Sequence, residues 1–170
     1  TSPPPDTLIM LRLLQDGTPD SSFALDGSLK LPLQDNTHGL ALALQPDGMI
    51  VVTGSVDDIA AQTTQVLLAR FDMWGEPDPT FGQNGVVLFT PNVPGWHLEI
   101  GSGVAIGPDA TITVAAGYWG APAHGFLLAR FLGNDHATAV ISTRASAARV
   151  YPVPSTNEVT VECPMCAGHL

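Results

Sequence analysis

The chain has 170 residues, of which 45% are hydrophobic and only 13% charged, and its formal net charge is −10. That length admits one domain with a tail, and that apolar share is enough for a core. A chain this acidic, with Lys30 as its only lysine, is repelled by phosphate backbones and anionic membrane surfaces, which sets nucleic-acid binding aside as a function class.

The 17 glycines and 15 prolines suit a turn-rich all-β chain. No apolar run reaches the roughly 18 residues of a membrane-spanning helix, and no basic segment precedes an apolar stretch as in a signal peptide. The first residue is Thr1 rather than Met, so a processed or truncated product is expected. The lack of a leader then says nothing about a cytoplasmic home.

Residues 1–7, TSPPPDT, form a proline-rich lead-in of extended geometry. Leu8 to Leu14 is apolar except for Arg12 and reads as a buried strand, followed by a turn at Asp16-Gly17. Leu29, Leu31 and Leu33 alternate with other residues as in a half-buried strand. Asp35 to Gly39 reads as loop. Leu40–Leu44 and Met49–Thr53 flank Gln45-Pro46-Asp47-Gly48, a hairpin whose proline presets φ at the second turn position. Gly54 to Thr64 reads as loop with Asp57-Asp58 at its tip. Val66–Phe71 is the next strand, Trp74–Gly85 a long loop, and Val86–Phe89 a short strand. The pattern then returns: Gly101–Ile106 and Thr111–Ala116 flank Gly107-Pro108-Asp109-Ala110, Phe126–Phe131 follows, and His136–Ser142 is a candidate fourth strand. No segment has a 3.6-residue apolar period, so almost no helix is expected.

Two landmarks recur at a fixed long period. The arginines of Leu11-Arg12-Leu13, Ala69-Arg70-Phe71 and Ala129-Arg130-Phe131 lie 58 and 60 residues apart. Pro46-Asp47 and Pro108-Asp109 lie 62 apart, and Gly54 and Gly117 lie 63 apart. Four sequential strands per repeat of about 60 residues imply antiparallel four-stranded sheets that stack as blades of a β-propeller. The chain holds about two to two and a half such repeats: two strands of one blade, one whole blade, and a third that is complete or nearly so.

These residues resemble a known family. LALALQPDGMIVVTGS followed by VLLARFDMWGEPDPTFGQNGVV resembles the delta-60 repeat, a bacterial β-propeller-like repeat, over roughly residues 8 to 134. Met49 stands where that repeat has Lys, Ala110-Thr111 replaces Gly-Lys, and the acidic, glycine-bearing loop is lost after Phe131. From Val150, VYPVPSTNEVTVE is similar to the opening of the type IX secretion C-terminal sorting domain of Bacteroidetes-type proteins. Val153 replaces Asn there, a Gly is absent between Asn157 and Glu158, and the ending ECPMCAGHL departs from the domain. The resemblance implies repeats over 8–135, a last strand and linker over 136–149, and a truncated sorting-like tail over 150–170. It also implies an extracellular or cell-surface protein exported by type IX machinery.

Residues with chemical potential have structural readings beside functional ones. Arg12, Arg70 and Arg130 could form a ring facing a ligand, but an arginine in every repeat better fits pairing with a loop carboxylate inside each blade. Asp47, Asp109, Gly54 and Gly117 are repeat-level turn and strand positions. Asp16, Asp20, Asp57, Asp58, Asp72 and Asp78 offer oxygen ligands for calcium, yet no EF-hand spacing is present and turn-making is the commoner role of Asp. Trp74, Trp96, Tyr118 and Trp119, placed in loops or at strand ends, suit glycan stacking or anchoring of a protein partner. Cys163, Cys166 and His169 give three soft ligands without a fourth. His38, His97, His124 and His136 lack paired spacing, and no nucleophile elbow, Walker loop or dinucleotide fingerprint occurs. The expectation is a non-catalytic propeller module that binds a protein or glycan, with no metal and no cofactor. The alternatives are part of a propeller-fold polysaccharide-acting enzyme, whose paired carboxylates would converge on a pocket, or a structural spacer.

Overall fold

The computed structural model describes residues 7–33, 36–58, 63–89, 96–120, 124–131, 140–143, 149–152 and 159–162; within the strands, the side chains of residues 58, 96–99, 118–120, 124 and those beyond 131 are outside the description. All regular structure there is β: β1 Leu8–Leu11, β2 Ser28–Leu31, β3 Thr37–Leu44, β4 Ile50–Asp58, β5 Thr63–Phe71, β6 Val86–Phe89, β7 Trp96–Ile106, β8 Ile112–Gly120, β9 His124–Phe131, β10 Val140–Thr143, β11 Arg149–Pro152 and β12 Val159–Glu162. The pairing is antiparallel and sequential: β1-β2, then β3-β4-β5-β6, then β7-β8-β9-β10, then the hairpin β11-β12. The first three sheets are propeller-type blades, here blades 1, 2 and 3. No helix of the described residues is long and apolar enough to cross a membrane.

The central strands β4 and β5 of blade 2 are buried on both faces, and strand alternation sorts their side chains between two cores. Ile50, Val52, Leu67, Ala69 and Phe71 face blade 1 and meet Leu8, Met10, Phe23 and Leu31. Val51, Val66 and Leu68 face blade 3 and meet Ile112, Val114, Leu127, Ala129 and Phe131, with Phe81 closing one end. This is why Val66 to Phe71 is buried without interruption. In blade 1 the same type of run alternates: Leu8 and Met10 are buried, whereas Ile9, Leu11, Leu13 and Leu14 are exposed. The expectation of a fully buried strand over Leu8–Leu14 is therefore corrected. The strand ends at Leu11, and only one of its faces is covered.

Two loop assignments are corrected as well. The stretch after Gly54 continues β4 as far as Asp58, and β5 already begins at Thr63. Gly54 is not a turn: a Cβ there would meet the His38 carbonyl, so glycine lets β3 and β4 approach. Likewise β3 begins at Thr37, inside the stretch read as loop. The second Pro-Asp strand extends to Gly120 and its partner starts at Trp96, so Trp96, Tyr118 and Trp119 lie at strand ends. The fourth strand of blade 3 is described over Val140–Thr143, overlapping the expected His136–Ser142, whose residues 136–139 lie outside the described residues. The lead-in residues 1–6, His136, Cys163, Cys166 and His169 lie outside the described residues.

Strands β3 and β7 pass the preceding blade at a glycine beside a bulge. Register shifts fall between Gly39 and Ala41 and between Gly101 and Gly103. A Cβ on Gly101 would stand 2.4 Å from Thr53 Oγ1 and 2.8 Å from the Gly54 carbonyl. On Gly103 the nearest atom would be 3.9 Å away. Gly101→Ala is therefore expected to cost about 1–3 kcal/mol through overpacking, and Gly103→Ala to stay within about 0.5 kcal/mol, as read by urea denaturation of the two variants.

Candidate functional site

The best-built polar constellation recurs in blades 1 and 2 with identical spacing. Arg12 donates from Nε to Asp20 Oδ2 at 2.8 Å, and its Cζ lies 4.7 Å from the centre of the Phe23 ring. Arg70 donates from Nε to Asp78 Oδ2 at 2.6 Å, and its Cζ lies 4.5 Å from the Phe81 ring. The second carboxylate oxygen accepts the amide and hydroxyl of Ser22 in one copy and of Thr80 in the other. The backbone repeats too: Arg12 and Arg70 donate to the Gly27 and Gly85 carbonyls, and the Asp20 and Asp78 amides donate back to the Arg12 and Arg70 carbonyls. Each corner thus fixes the loop between two strands and delivers a fully buried Phe to the core.

The copies differ in cover. The Arg70 and Asp78 side chains are only 7% and 5% exposed, against 31% and 20% for Arg12 and Asp20. Val51 on β4 sits across from Arg70, whereas among the described residues β1 has a strand on the β2 side only. The sequence after Arg130 does not repeat the corner residues. The residue eight positions on is Thr138, and Arg130 reaches Asp109 of its own blade at 3.0 Å on the surface.

Burial by itself raises the pKa of Asp78, but hydrogen bonds from the Thr80 hydroxyl and amide and from Arg70 outweigh it and hold the carboxyl below its ordinary 3.8. Asp16, Asp20 and Asp109 are also lowered, first by the hydroxyls of Thr18, Ser22 and Thr111 and then by the amides of the same residues. Carboxyls depressed in the folded state add stability above their unfolded pKa and lose it as pH falls. Stability should therefore be level above about pH 5 and decline from about pH 4 downward, less steeply in Asp78→Asn. Asp78→Ala removes the carboxylate that a buried guanidinium is bonded to and should cost about 3–5 kcal/mol, whereas Asp109→Ala, at an exposed pair, should cost far less. Denaturation curves of the two variants across pH check both statements.

The other acidic candidates are dispersed. Asp16 caps its own turn by accepting from Thr18, Asp72 accepts the Trp74 and Glu76 amides, and Asp57 on β4 accepts from Thr64 on β5. Asp57 and Asp58 are in a strand rather than at a loop tip. Among the described residues no group of three or more His, Cys, Asp or Glu side chains is placed to hold a metal ion. Asp47 and Asp109 hold their hairpin turns by accepting the Met49 and Thr111 amides. Ala110 adopts the left-handed φ of 61° in the turn position where the preceding hairpin has Gly48 at 91°. Gly54 and Gly117 are mid-strand positions paired to Leu67 and Phe126.

The four aromatic candidates are not gathered. Trp74 is in the turn after β5, at the blade end where Gln45 Nε2 meets the Ala110 carbonyl at 3.3 Å. Trp96 opens β7 opposite Gly120, Trp119 is paired to Leu98 and Tyr118 to Glu99, all at the other end. The Trp74 turn instead clamps blade 2 to blade 1: the Trp74 carbonyl accepts the Ala24 amide at 2.7 Å, and the Met73 carbonyl accepts from Arg12.

A surface that composition did not reveal lies between β1 and β3. A groove of ≈ 370 Å³ opens there, lined by Leu8 to Leu11, by Gly39 to Leu42 and by Val52. Leu42 and Leu44 pair with Val52 and Ile50 and so face the blade 1 side, yet they are 59% and 66% exposed. The matching residues of β7, Val104 and Ile106, pair with Val114 and Ile112 and pack into the core between blades 2 and 3. The signal for this surface in the sequence is the alternation Leu40, Leu42, Leu44; what the sequence could not show is that nothing described covers it.

Comparison with known proteins bears on the fold. Residues 5–23 and 45–81 match the profile of a family described as "Domain of unknown function (DUF5122) beta-propeller". Both matched stretches end on the phenylalanine beneath a corner arginine, Phe23 and Phe81. Searches of curated proteins and of solved structures return no match.

Proposed function

We propose that this chain is a non-catalytic β-propeller module, of the delta-60 kind, that binds a protein partner through the apolar face between blades 1 and 2. The observation that carries this reading is the exposed aliphatic row Leu40, Leu42 and Leu44 on β3, of which Leu40 and Leu42 line one groove with Ile9 and Leu11. Contiguous exposed apolar surface marks an interaction site. The reading is also supported by the carboxylates Asp16, Asp20, Asp72, Asp78 and Asp109, which are engaged in turns and corners rather than converging on a groove.

A peptide-display selection on the immobilised chain is expected to enrich apolar binders that a Leu42→Asp/Leu44→Asp variant fails to retain. Binders held equally by both proteins, or turnover of any polysaccharide in a reducing-end assay, would overturn the reading.

The same proposal places the protein outside the cell, exported by type IX secretion. Support comes from the resemblance beginning at Val150, a segment that forms an antiparallel hairpin with Val150 opposite Val161. A reporter fused to residues 144–170 should reach the medium of a host carrying that machinery; retention in the periplasm would contradict the export reading.

A further inference from the structure

The blade 2 corner contains a bond that its blade 1 counterpart does not. The two corners share their hydrogen bonds, yet Pro79 follows Asp78 where Ser21 follows Asp20. Proline makes that link a tertiary amide without an N–H. Its nitrogen is the better proton acceptor and leaving group, and it cannot itself attack the aspartate side chain. The groups around the link are those a self-cleaving bond needs. The Asp78 carbonyl accepts the Phe81 amide at 3.1 Å, which draws electrons from the carbonyl carbon. The carboxyl of the same residue is the nucleophile. In the native corner it is engaged elsewhere: Oδ2 accepts from Arg70 Nε at 2.6 Å, and Oδ1 accepts the Thr80 amide at 2.9 Å and hydroxyl at 2.7 Å. Arg70 of β5 is the charged group that faces it, and Gly85, which approaches its amide from the β6 side, adds none. Asp78 is buried, whereas Pro79 is exposed.

We propose that the Asp78–Pro79 bond is an acid-triggered self-cleavage site, masked in the native fold by the hold of Arg70 and Thr80 on the Asp78 carboxylate. Protonation serves both halves of the step. It loosens the ion pair with Arg70, and it supplies the proton that the leaving nitrogen needs. The carboxyl oxygen then attacks the carbonyl carbon of Asp78 itself. The C–N bond breaks, the proline nitrogen takes the carboxyl proton, and water opens the resulting cyclic anhydride. No oxidant or cofactor is consumed, and the products are a chain ending at Asp78 and a chain starting at Pro79. The cut falls between β5 and β6, which stay paired from Val66 to Ala69. Val51, Val66 and Leu68 of one piece also share a core with Phe81, Ile112, Leu127 and Phe131 of the other, so the pieces remain together. The link after Asp20 has the same surroundings, with the Asp20 carbonyl accepting the Phe23 amide at 2.9 Å, but it is a secondary amide and stays intact.

The full chain is held at the lowest pH at which its circular-dichroism spectrum stays native, with and without urea, and cleavage is followed by mass spectrometry. A single cut between Asp78 and Pro79 is expected, about tenfold or more faster in urea, because a masked bond reacts only through opening of the corner. Pro79→Ser abolishes the cut and leaves the melting curve unchanged, since Ser21 fills that place in the blade 1 corner. Ser21→Pro, read in urea so that folding does not enter, adds a second cut after Asp20. The natively nicked chain elutes from gel filtration as one particle and parts only in denaturant. Equal rates with and without urea overturn the masking, and pieces that part without denaturant overturn their retention. A cut that persists in Pro79→Ser, or a second cut that fails to form in Ser21→Pro, overturns the site. No cleavage in urea overturns the whole inference.

Discussion

A β-sheet has two faces, and an apolar face must be covered; the rest of this structure depends on that constraint. The middle of blade 2 satisfies it, with β5 buried on both sides between Phe71 towards blade 1 and Leu68 towards blade 3. Removing such surface from water contributes roughly 25 cal/mol per Å², so the two inter-blade cores dominate the cohesion of the molecule. The corners add direction. Because Arg70, Asp78 and Thr80 satisfy one another in a nearly dry site, the loop that carries Phe81 has one conformation and the ring enters the core at a fixed place. Stacking of the guanidinium on that ring adds a further attraction, of about 2 kcal/mol when desolvated.

The same constraint explains where the molecule departs from its own repeat. Arg12 is more exposed than Arg70 because no described strand faces it across β1. Leu42 and Leu44 are exposed although their counterparts in β7 are packed. Arg130 turns to Asp109 because Thr138 stands where the first two copies have the corner Asp. These differences share a cause, which is the absence of a neighbour or of a corner residue among the described residues.

Much of the fold was legible before any coordinates. The recurrence of Arg12, Arg70 and Arg130 and of the two Pro-Asp turns points to sequential four-stranded sheets, since a long period admits few architectures. Strand ends were less legible, for identifiable reasons. Gly54 and Asp57-Asp58 look like turn residues, yet Gly54 is demanded by the His38 carbonyl and Asp57 is held by Thr64 within the ladder. Leu8–Leu14 resembles Val66–Phe71 in composition, but continuous burial needs a partner on each face and only β5 has both. The candidate binding face was the least legible element. Its alternating leucines are plain in the sequence, but exposure belongs to the neighbourhood rather than to the residue. The aromatic candidates failed to gather for a related reason: register places Trp74 at one blade end and Trp96, Tyr118 and Trp119 at the other.

Native-state hydrogen exchange measures the central claim directly, since it reads cover strand by strand. Two-sided burial of blade 2 predicts that the amides of Val66 to Ala69 exchange slowest, at the rate of global unfolding, whereas the β1 amides on the edge away from β2 exchange orders of magnitude faster. Equal protection of β1 and β5 would contradict the account, because β1 would then have a partner on the edge that the groove leaves open.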